Sequence, residues 1–181
     1  MRQEPWALEL QKTILERNWE GVQRLARAKP AKTLRYLTAR LYGADEASRC
    51  DAARALGAVA ADAGIVSDGK VRELLRRYFW WLNDESGAVP LGIPEAIGAI
   101  VAARSEFQRE FLPLLCSLAH HPDCLQTGPI ERGVFWALGH IGRPAALCSP
   151  EAVKAIAEAA RHHPDPETQS TAAWALSRLQ P

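Results

Sequence analysis

Four similar segments, spaced about forty residues apart, constrain the fold of this chain more than any other feature. They are centred on Ala55-Leu56-Gly57, Ala96-Ile97-Gly98, Ala137-Leu138-Gly139 and Ala175-Leu176-Ser177, with separations of 41, 41 and 38 residues. Around each centre, apolar residues occupy positions i, i+3, i+4 and i+7, the spacing of one helical stripe. The sixteen stripe residues are Ala52, Ala55, Leu56, Val59, Ile93, Ala96, Ile97, Ile100, Val134, Ala137, Leu138, Ile141, Ala172, Ala175, Leu176 and Leu179. The pattern predicts four helices at equivalent positions of a repeated unit.

The rest of the chain also predicts helices, because Ala, Leu, Arg and Glu dominate and alternating β-branched runs are absent. Ser149 and Asp165 precede prolines that suit a first helical turn, so we expect both to be N-caps. Pro113 lies inside a predicted helix and is expected to kink or split it. The ten predicted spans are Pro5–Arg17, Trp19–Ala28, Ala31–Tyr42, Glu46–Ala63, Gly69–Leu82, Pro94–Arg104, Glu106–His120, Pro129–Ile141, Pro150–His162 and Pro166–Leu179.

These observations predict an all-α fold, an α-α superhelix of about five antiparallel helix pairs, in one domain covering residues 1–181. A divergent first pair occupies residues 5–28, and recognisable repeats occupy residues 30–180. The repeats resemble HEAT repeats, whose units are helix pairs of about 40 residues. The second helix of a HEAT unit commonly begins near an aspartate. Four aspartates stand at that point in this sequence, namely Asp45, Asp84, Asp123 and Asp165.

A narrower resemblance rests on the segment from Trp80 to Gly87, WWLNDESG, followed by Pro94-Glu95. The segment resembles an uncharacterised prokaryotic HEAT-repeat family with an LNDESG-then-PE signature, and that family implies no settled activity. At the level of fold alone, the chain is also similar to the HEAT-like DNA glycosylases and to the HEAT-like lyases that attach bilins. A shared fold is weak evidence for a shared function.

Composition and charge narrow the classes of function. The net charge of +1 gives no strong preference for polyanions, although residues 1–80 hold 15 Lys and Arg against 10 Asp and Glu. A basic half of this kind is compatible with an acidic partner or nucleic acid, but an imbalance this small more often arises by chance. The first twenty residues lack the apolar core of a signal peptide, and no stretch approaches the ~20 apolar residues of a membrane span. The four scattered cysteines do not indicate a disulfide scaffold, so we expect a cytoplasmic protein without membrane contact.

The loop after the fifth predicted helix is the first candidate binding site. It presents Asn83, Asp84 and Glu85, and Glu95 in the next helix could join them. Two carboxylates beside an amide suit a cation, an amine or a basic partner peptide. In the alternative interpretation, Asp84 caps a helix, Glu85 is solvated and Glu95 favours a helix N-terminus through the helix dipole.

The exposed face of each second helix is the next candidate. Aligned repeats place Arg54, Glu95, Trp136 and Trp174 in one column on the concave face of the superhelix. One turn later, a second column contains Ala58, Ala99, His140 and Arg178. Exposed tryptophans there would stack on a peptide, a nucleobase or a planar ligand. In the alternative, both tryptophans fill gaps between neighbouring helices.

Two further motifs are better explained as repeat structure and core. One motif contains Cys and His, the usual ligands of zinc, at Cys116, His120, His121 and Cys124. Their spacing is not that of a zinc finger. The His-His-Pro-Asp motif recurs at residues 162–165 without cysteines, so we expect no metal site and no cofactor. The aromatic run Tyr78–Trp81 follows two arginines, which is compatible with nucleic-acid contact but is more typical of a buried helical stripe.

The sequence therefore predicts a non-catalytic scaffold that binds a protein or peptide on the concave face. Its expected binding residues are Asn83, Asp84, Glu85, Glu95, Trp136, His140, Trp174 and Arg178. The alternative function is nucleic-acid binding or DNA repair like that of the HEAT-like DNA glycosylases, or a bilin-lyase-like enzyme. A homodimer formed through an uncapped end of the superhelix is a further possibility.

Overall fold

The computed structural model describes residues 4–83, 89–120 and 128–180. These residues form eleven α-helices and a 3-10 turn at Ser105–Phe107, and no strand occurs among them. The helices are α1 Pro5–Leu15, α2 Trp19–Ala28, α3 Pro30–Arg40, α4 Glu46–Ala60, α5 Asp68–Leu82, α6 Ile93–Ala103, α7 Gln108–His120, α8 Gly128–Ile141, α9 Arg143–Cys148, α10 Pro150–His162 and α11 Pro166–Leu179. The predicted all-α class is confirmed. The short helix α9 was not predicted.

The helices are arranged in two layers, as in an α-α superhelix. The most extensive packing joins α4 to α6, α6 to α8 and α8 to α11, so these four helices form one continuous inner layer. Each inner helix also packs on the long outer helix that precedes it, namely α3, α5, α7 or α10. The pair of α1 and α2 closes the first end against α4. None of the described helices combines the length and the apolar character needed to cross a bilayer.

The predicted apolar stripes hold the inner layer together. Of the sixteen stripe residues, all are buried except Leu176, which is partly buried on the last inner helix. The glycine that follows each stripe centre sets the helix spacing. A Cβ on Gly57 would lie 2.8 Å from the carbonyl oxygen of Ala99, and one on Gly98 would lie 2.5 Å from the Cβ of Ala137. The fourth motif has exposed Ser177 in this place, where no further helix follows among the described residues.

Polar caps at the starts of helices agree with the sequence. Asp45 accepts a hydrogen bond from the backbone N–H of Ser48 at 2.8 Å, and Asp165 accepts one from that of Thr168 at 3.0 Å. Ser149 caps α10 in the same way. These bonds satisfy backbone donors that have no partner within the helix. The equivalent Asp84 and Asp123 lie outside the described residues.

Pro113 does not split α7, which runs unbroken from Gln108 to His120. The alternative outcome, a kink at Pro113, stays a prediction. A proline removes one helical hydrogen bond and crowds the carbonyl four residues earlier, which here belongs to Arg109. Both residues are exposed, so water can solvate the freed carbonyl.

Candidate binding groove on the inner face

An aromatic stack is the main feature of the inner face. The rings of Trp136 and His140, on successive turns of α8, lie 4.7 Å apart at an angle of 10°. The ring of Trp174 on α11 lies 6.2 Å from that of Trp136 at 18°. The guanidinium of Arg54 on α4 sits 5.2 Å from the centre of the Trp136 ring, a cation–π contact. Four side chains from three inner helices therefore form one assembly.

The repeat explains why these side chains meet. Arg54, Trp136 and Trp174 occupy equivalent positions, one residue before the alanine that opens each stripe centre. Side chains at equivalent positions of stacked helices point to the same face. The Arg54–Trp136 contact joins α4 to α8 across the intervening α6, so the inner layer curves toward this face.

A groove of about 450 Å³ lies beside the stack. Its floor is made of glycine and alanine residues of α4, the position just after α4, and α6, while Trp19 and Gln23 of α2 form one wall. Arg54 and His140 form the opposite wall. The amide of Gln23 donates a hydrogen bond to the carbonyl of Ala58 at 2.7 Å, which fixes α2 against the inner layer. The alanine and glycine residues of the floor are Gly57, Ala58, Ala61, Ala99, Ala102 and Ala103.

The two tryptophans differ in exposure. Trp174 is 39% exposed, whereas Trp136 is half-buried between its stacking partners and packs on the core. His140 is exposed at the groove, beside Arg178, which is also exposed. Desolvation, followed by the charges of Arg54 and Arg178, lowers the pKa of His140. A neutral imidazole stacks on an indole without the cost of desolvating a charge.

Glu95 was predicted to lie on the exposed face, but the structure buries it. The residue is only 3% exposed, and its carboxyl oxygen Oε2 faces Gly133 of α8, where any Cβ would be 2.6 Å away. No hydrogen-bond partner of Oε2 exists among the described residues. Burial raises the pKa of Glu95 to about 7, because its own backbone amide and Arg49 offset the desolvation only in part. At the equivalent positions Arg54 and Trp136 are half-buried and Trp174 is exposed. Glu95 differs because bridges between the two neighbours of α6 cover it.

Those bridges are the Arg54–Trp136 contact and an ion-pair cluster around Arg132. Arg132 of α8 contacts Glu46 of α4 at 2.8 Å, and it contacts Asp165 and Glu167 at the start of α11 at 3.2 and 3.0 Å. One guanidinium thus joins three inner helices across α6. Arg132 was not predicted as a functional residue, because only the fold brings its three acidic partners together.

The loop candidates do not join this site within the described residues. Asn83 is exposed at the end of α5, and its side chain donates a hydrogen bond to the carbonyl of Phe79 at 2.9 Å. Asp84 and Glu85 lie outside the described residues, so their binding role stays a prediction. Trp19 and Gln23 were missed as wall residues because the first helix pair departs from the repeat.

Cys116 and the aromatic residue Tyr78 are buried in the core and are not part of an exposed site. Cys116 is buried, and burial raises the pKa of its thiol to about 12. No cluster of three or more His, Cys, Asp or Glu residues suited to a metal occurs among the described residues, while His121 and Cys124 fall outside them. Tyr78 is fully buried, as the core interpretation of the aromatic run predicts.

No protein-family model, curated protein or solved structure matches this chain. The resemblance to HEAT repeats therefore stays a prediction, although an all-helical layered fold is compatible with it. The geometry of the inner face is therefore the observation that bears on function.

Proposed function

We propose that the protein is a non-catalytic binding module that holds an extended peptide segment of a partner protein in the inner groove. The stack of Arg54, Trp136, His140 and Trp174 beside the alanine and glycine floor carries this proposal. Small side chains on the floor let a ligand backbone approach closely. The aromatic stack beside the groove offers a large apolar area, and its side chains have few torsions to immobilise on binding.

The chemistry of the groove also favours a class of peptide. The aromatic stack beside the groove suits an apolar or aromatic anchor residue, which would cover the exposed part of Trp174. Arg178 is exposed and has no carboxylate partner among the described residues, whereas Arg54 pairs with Asp51 at 3.0 Å. A peptide with an apolar anchor next to an acidic residue would satisfy both the indole and the unpaired guanidinium.

Selection from a random peptide display library against the whole chain tests the proposal. Selected peptides should bind wild-type protein and lose at least tenfold in affinity to the variant Trp174→Ala. The matched control is Trp80→Ala, which removes a more exposed tryptophan, 66% accessible, from α5. Circular dichroism should show that both variants stay folded. Equal losses in the two variants, or no selected peptide that depends on Trp174, would reject the inner groove as the site.

Nucleic-acid binding is the second candidate, because the same face combines stacked indoles with cations at Arg54 and Arg178. Phosphate contacts release counterions, so binding of a duplex or single strand would weaken steeply with salt. Gel-shift titrations from 50 to 200 mM salt, with wild-type and Arg178→Ala protein, measure this. Peptide binding through an apolar anchor would depend much less on salt.

A further inference from the structure

A second groove lies on the outer layer, between α3 and α5, on helices that do not line the inner groove. Its volume is about 490 Å³. The lining residues on α3 and just beyond it are Ala31, Leu34, Arg35, Thr38, Ala39 and Tyr42, and those on α5 are Lys70, Leu74, Arg77 and Trp81. Both sets follow helical spacing, so one complete stripe of each helix faces the groove. Eleven residues of helix make the groove roughly 16 Å long.

The two helices lie side by side along this length. Lys70, in the first turn of α5, lines a neighbouring cavity with Pro30 and Leu34 at the start of α3. In the middle, the hydroxyls of Thr38 and Tyr78 form a hydrogen bond of 2.8 Å. No extensive backbone packing joins α3 to α5. The result is an open trough with an apolar floor at the buried residues Leu34 and Leu74.

The rim of the trough is positively charged. Arg35, Lys70 and Arg77 are exposed, and no carboxylate from the described part of the chain lines the groove. Lys70 pairs with Glu73 at 2.9 Å on the rim, whereas Arg35 has no carboxylate partner among the described residues. Arg77 lies over the ring of Trp81 at 5.3 Å. This trough gathers part of the excess basic charge that the first 80 residues carry.

The boundary between neighbouring outer helices, here called a seam, is closed between α5 and α7. The open seam between α3 and α5 differs from it. Between α5 and α7, the rings of Phe79 and Phe111 stack at 6.0 Å. Arg72 and Arg76 both bind Glu110 across the same seam, at 2.7 and 3.0 Å. On its other side, α5 also presents cations, but α3 offers them no acidic residue. Within the described residues, the trough therefore offers no carboxylate to Arg35.

We propose that the outer groove binds an acidic amphipathic helix of about three turns from a partner protein. The apolar face of that helix would rest on Leu34 and Leu74, with carboxylates against Arg35 and Arg77 on the two sides. The length of the trough matches three helical turns, and its two stripes give the ridges against which a third helix packs. A small organic anion would fit an enclosed cavity better than an open trough.

Fluorescence anisotropy with a designed peptide tests this proposal. The labelled probe is a 15-residue helix with leucines at i, i+4, i+7 and i+11 and glutamates on both flanks. The full chain should bind it, and the double variant Arg35→Glu/Arg77→Glu should bind at least tenfold more weakly. The matched control, Arg109→Glu/Arg143→Glu, changes the charge equally at two exposed arginines on other helices and should keep the wild-type affinity.

Further probes separate this site from other sources of binding. A peptide of the same composition with scrambled leucines should bind at least tenfold more weakly, and Trp174→Ala should leave binding of the designed peptide unchanged. The proposal fails if the wild-type chain does not bind, or if the two double variants weaken binding equally. It also fails if the scrambled peptide binds as well, or if Trp174→Ala abolishes binding. A duplex oligonucleotide that binds more tightly than the peptide, through Arg35 and Arg77, would make the trough a nucleic-acid site.

Discussion

The two helix layers of this protein are held together differently. In the inner layer, glycines let consecutive helices touch at the backbone, as at Gly98 against Ala137. In the outer layer, side chains alone close the seam between α5 and α7, and the seam between α3 and α5 stays largely open. Close packing on one side and wide spacing on the other are what curve a layered array of helices.

The difference matters for binding as well as for shape. The inner layer assembles Trp136, His140 and Trp174 before any ligand arrives, so little ordering cost is left for the bound state. At the rim of the outer trough, Arg35 and Arg77 have no carboxylate ion-pair partner among the described residues, and the hydrogen bond between Thr38 and Tyr78 crosses the trough. An acidic ligand there would supply carboxylate partners that the described residues do not offer to Arg35 and Arg77.

The largest expected effect comes from closing the space at an inner glycine. Gly98→Val should lower the free energy of unfolding by more than about 3 kcal/mol, because the backbones of α6 and α8 must separate. Gly69→Val, on the outer helix α5, should change it by no more than about 0.5 kcal/mol, since nothing lies within 4 Å of a Cβ there. Urea denaturation measures both. Similar losses would show that the inner layer is not packed as closely as described.

A pH effect of intermediate size should come from the carboxyl buried in the inner layer. The pKa of Glu95 is about 7 in the folded protein and near 4.5 when unfolded. Between these values the folded state holds a proton that the unfolded state releases, so Glu95 lowers stability as pH rises from about 4.5 to 7. Glu95→Gln should therefore be more stable than wild type at pH 8, by about 1–3 kcal/mol, with the difference shrinking toward pH 5.

Comparison with wild type isolates Glu95 from the other titrating groups. The lowered pKa of His140 acts in the opposite direction, because its contribution is lost as pH falls below 6.5. That term is common to wild type and Glu95→Gln, so it cancels in the difference between their denaturation curves. A difference that does not change from pH 5 to pH 8 would mean that Glu95 is ionised in the fold.

The smallest effect is expected at the open outer seam. Tyr78→Phe removes the hydroxyl that bonds to Thr38 and should lower the free energy of unfolding by about 1 kcal/mol. The double variant Tyr78→Phe/Thr38→Val should lose little more than the worse single variant, since both hydroxyls serve one bond. Strictly additive losses in thermal denaturation would show that the two hydroxyls do not interact.

Local patterns were sufficient for the helices and their order. Stripe spacing, composition and the residues that start and stop helices together predicted every long helix, with ends that differ from the structure by at most three residues. Caps at Asp45, Ser149 and Asp165 followed from residue type alone, because an N-cap bond spans only three residues. The equivalence of Trp136 and Trp174 also followed from the repeat, which fixes the face a side chain occupies.

Periodicity along the chain is enough to predict the all-helical architecture, the buried stripes and the tryptophan column. The burial of Glu95, the contacts through which Arg132 joins three helices and the trough between α3 and α5 emerge only in the folded structure. Those features depend on how far apart neighbouring helices lie, and that distance is set by contacts between residues distant in sequence. A periodic pattern specifies which face a residue occupies, whereas curvature decides whether that face is open or closed.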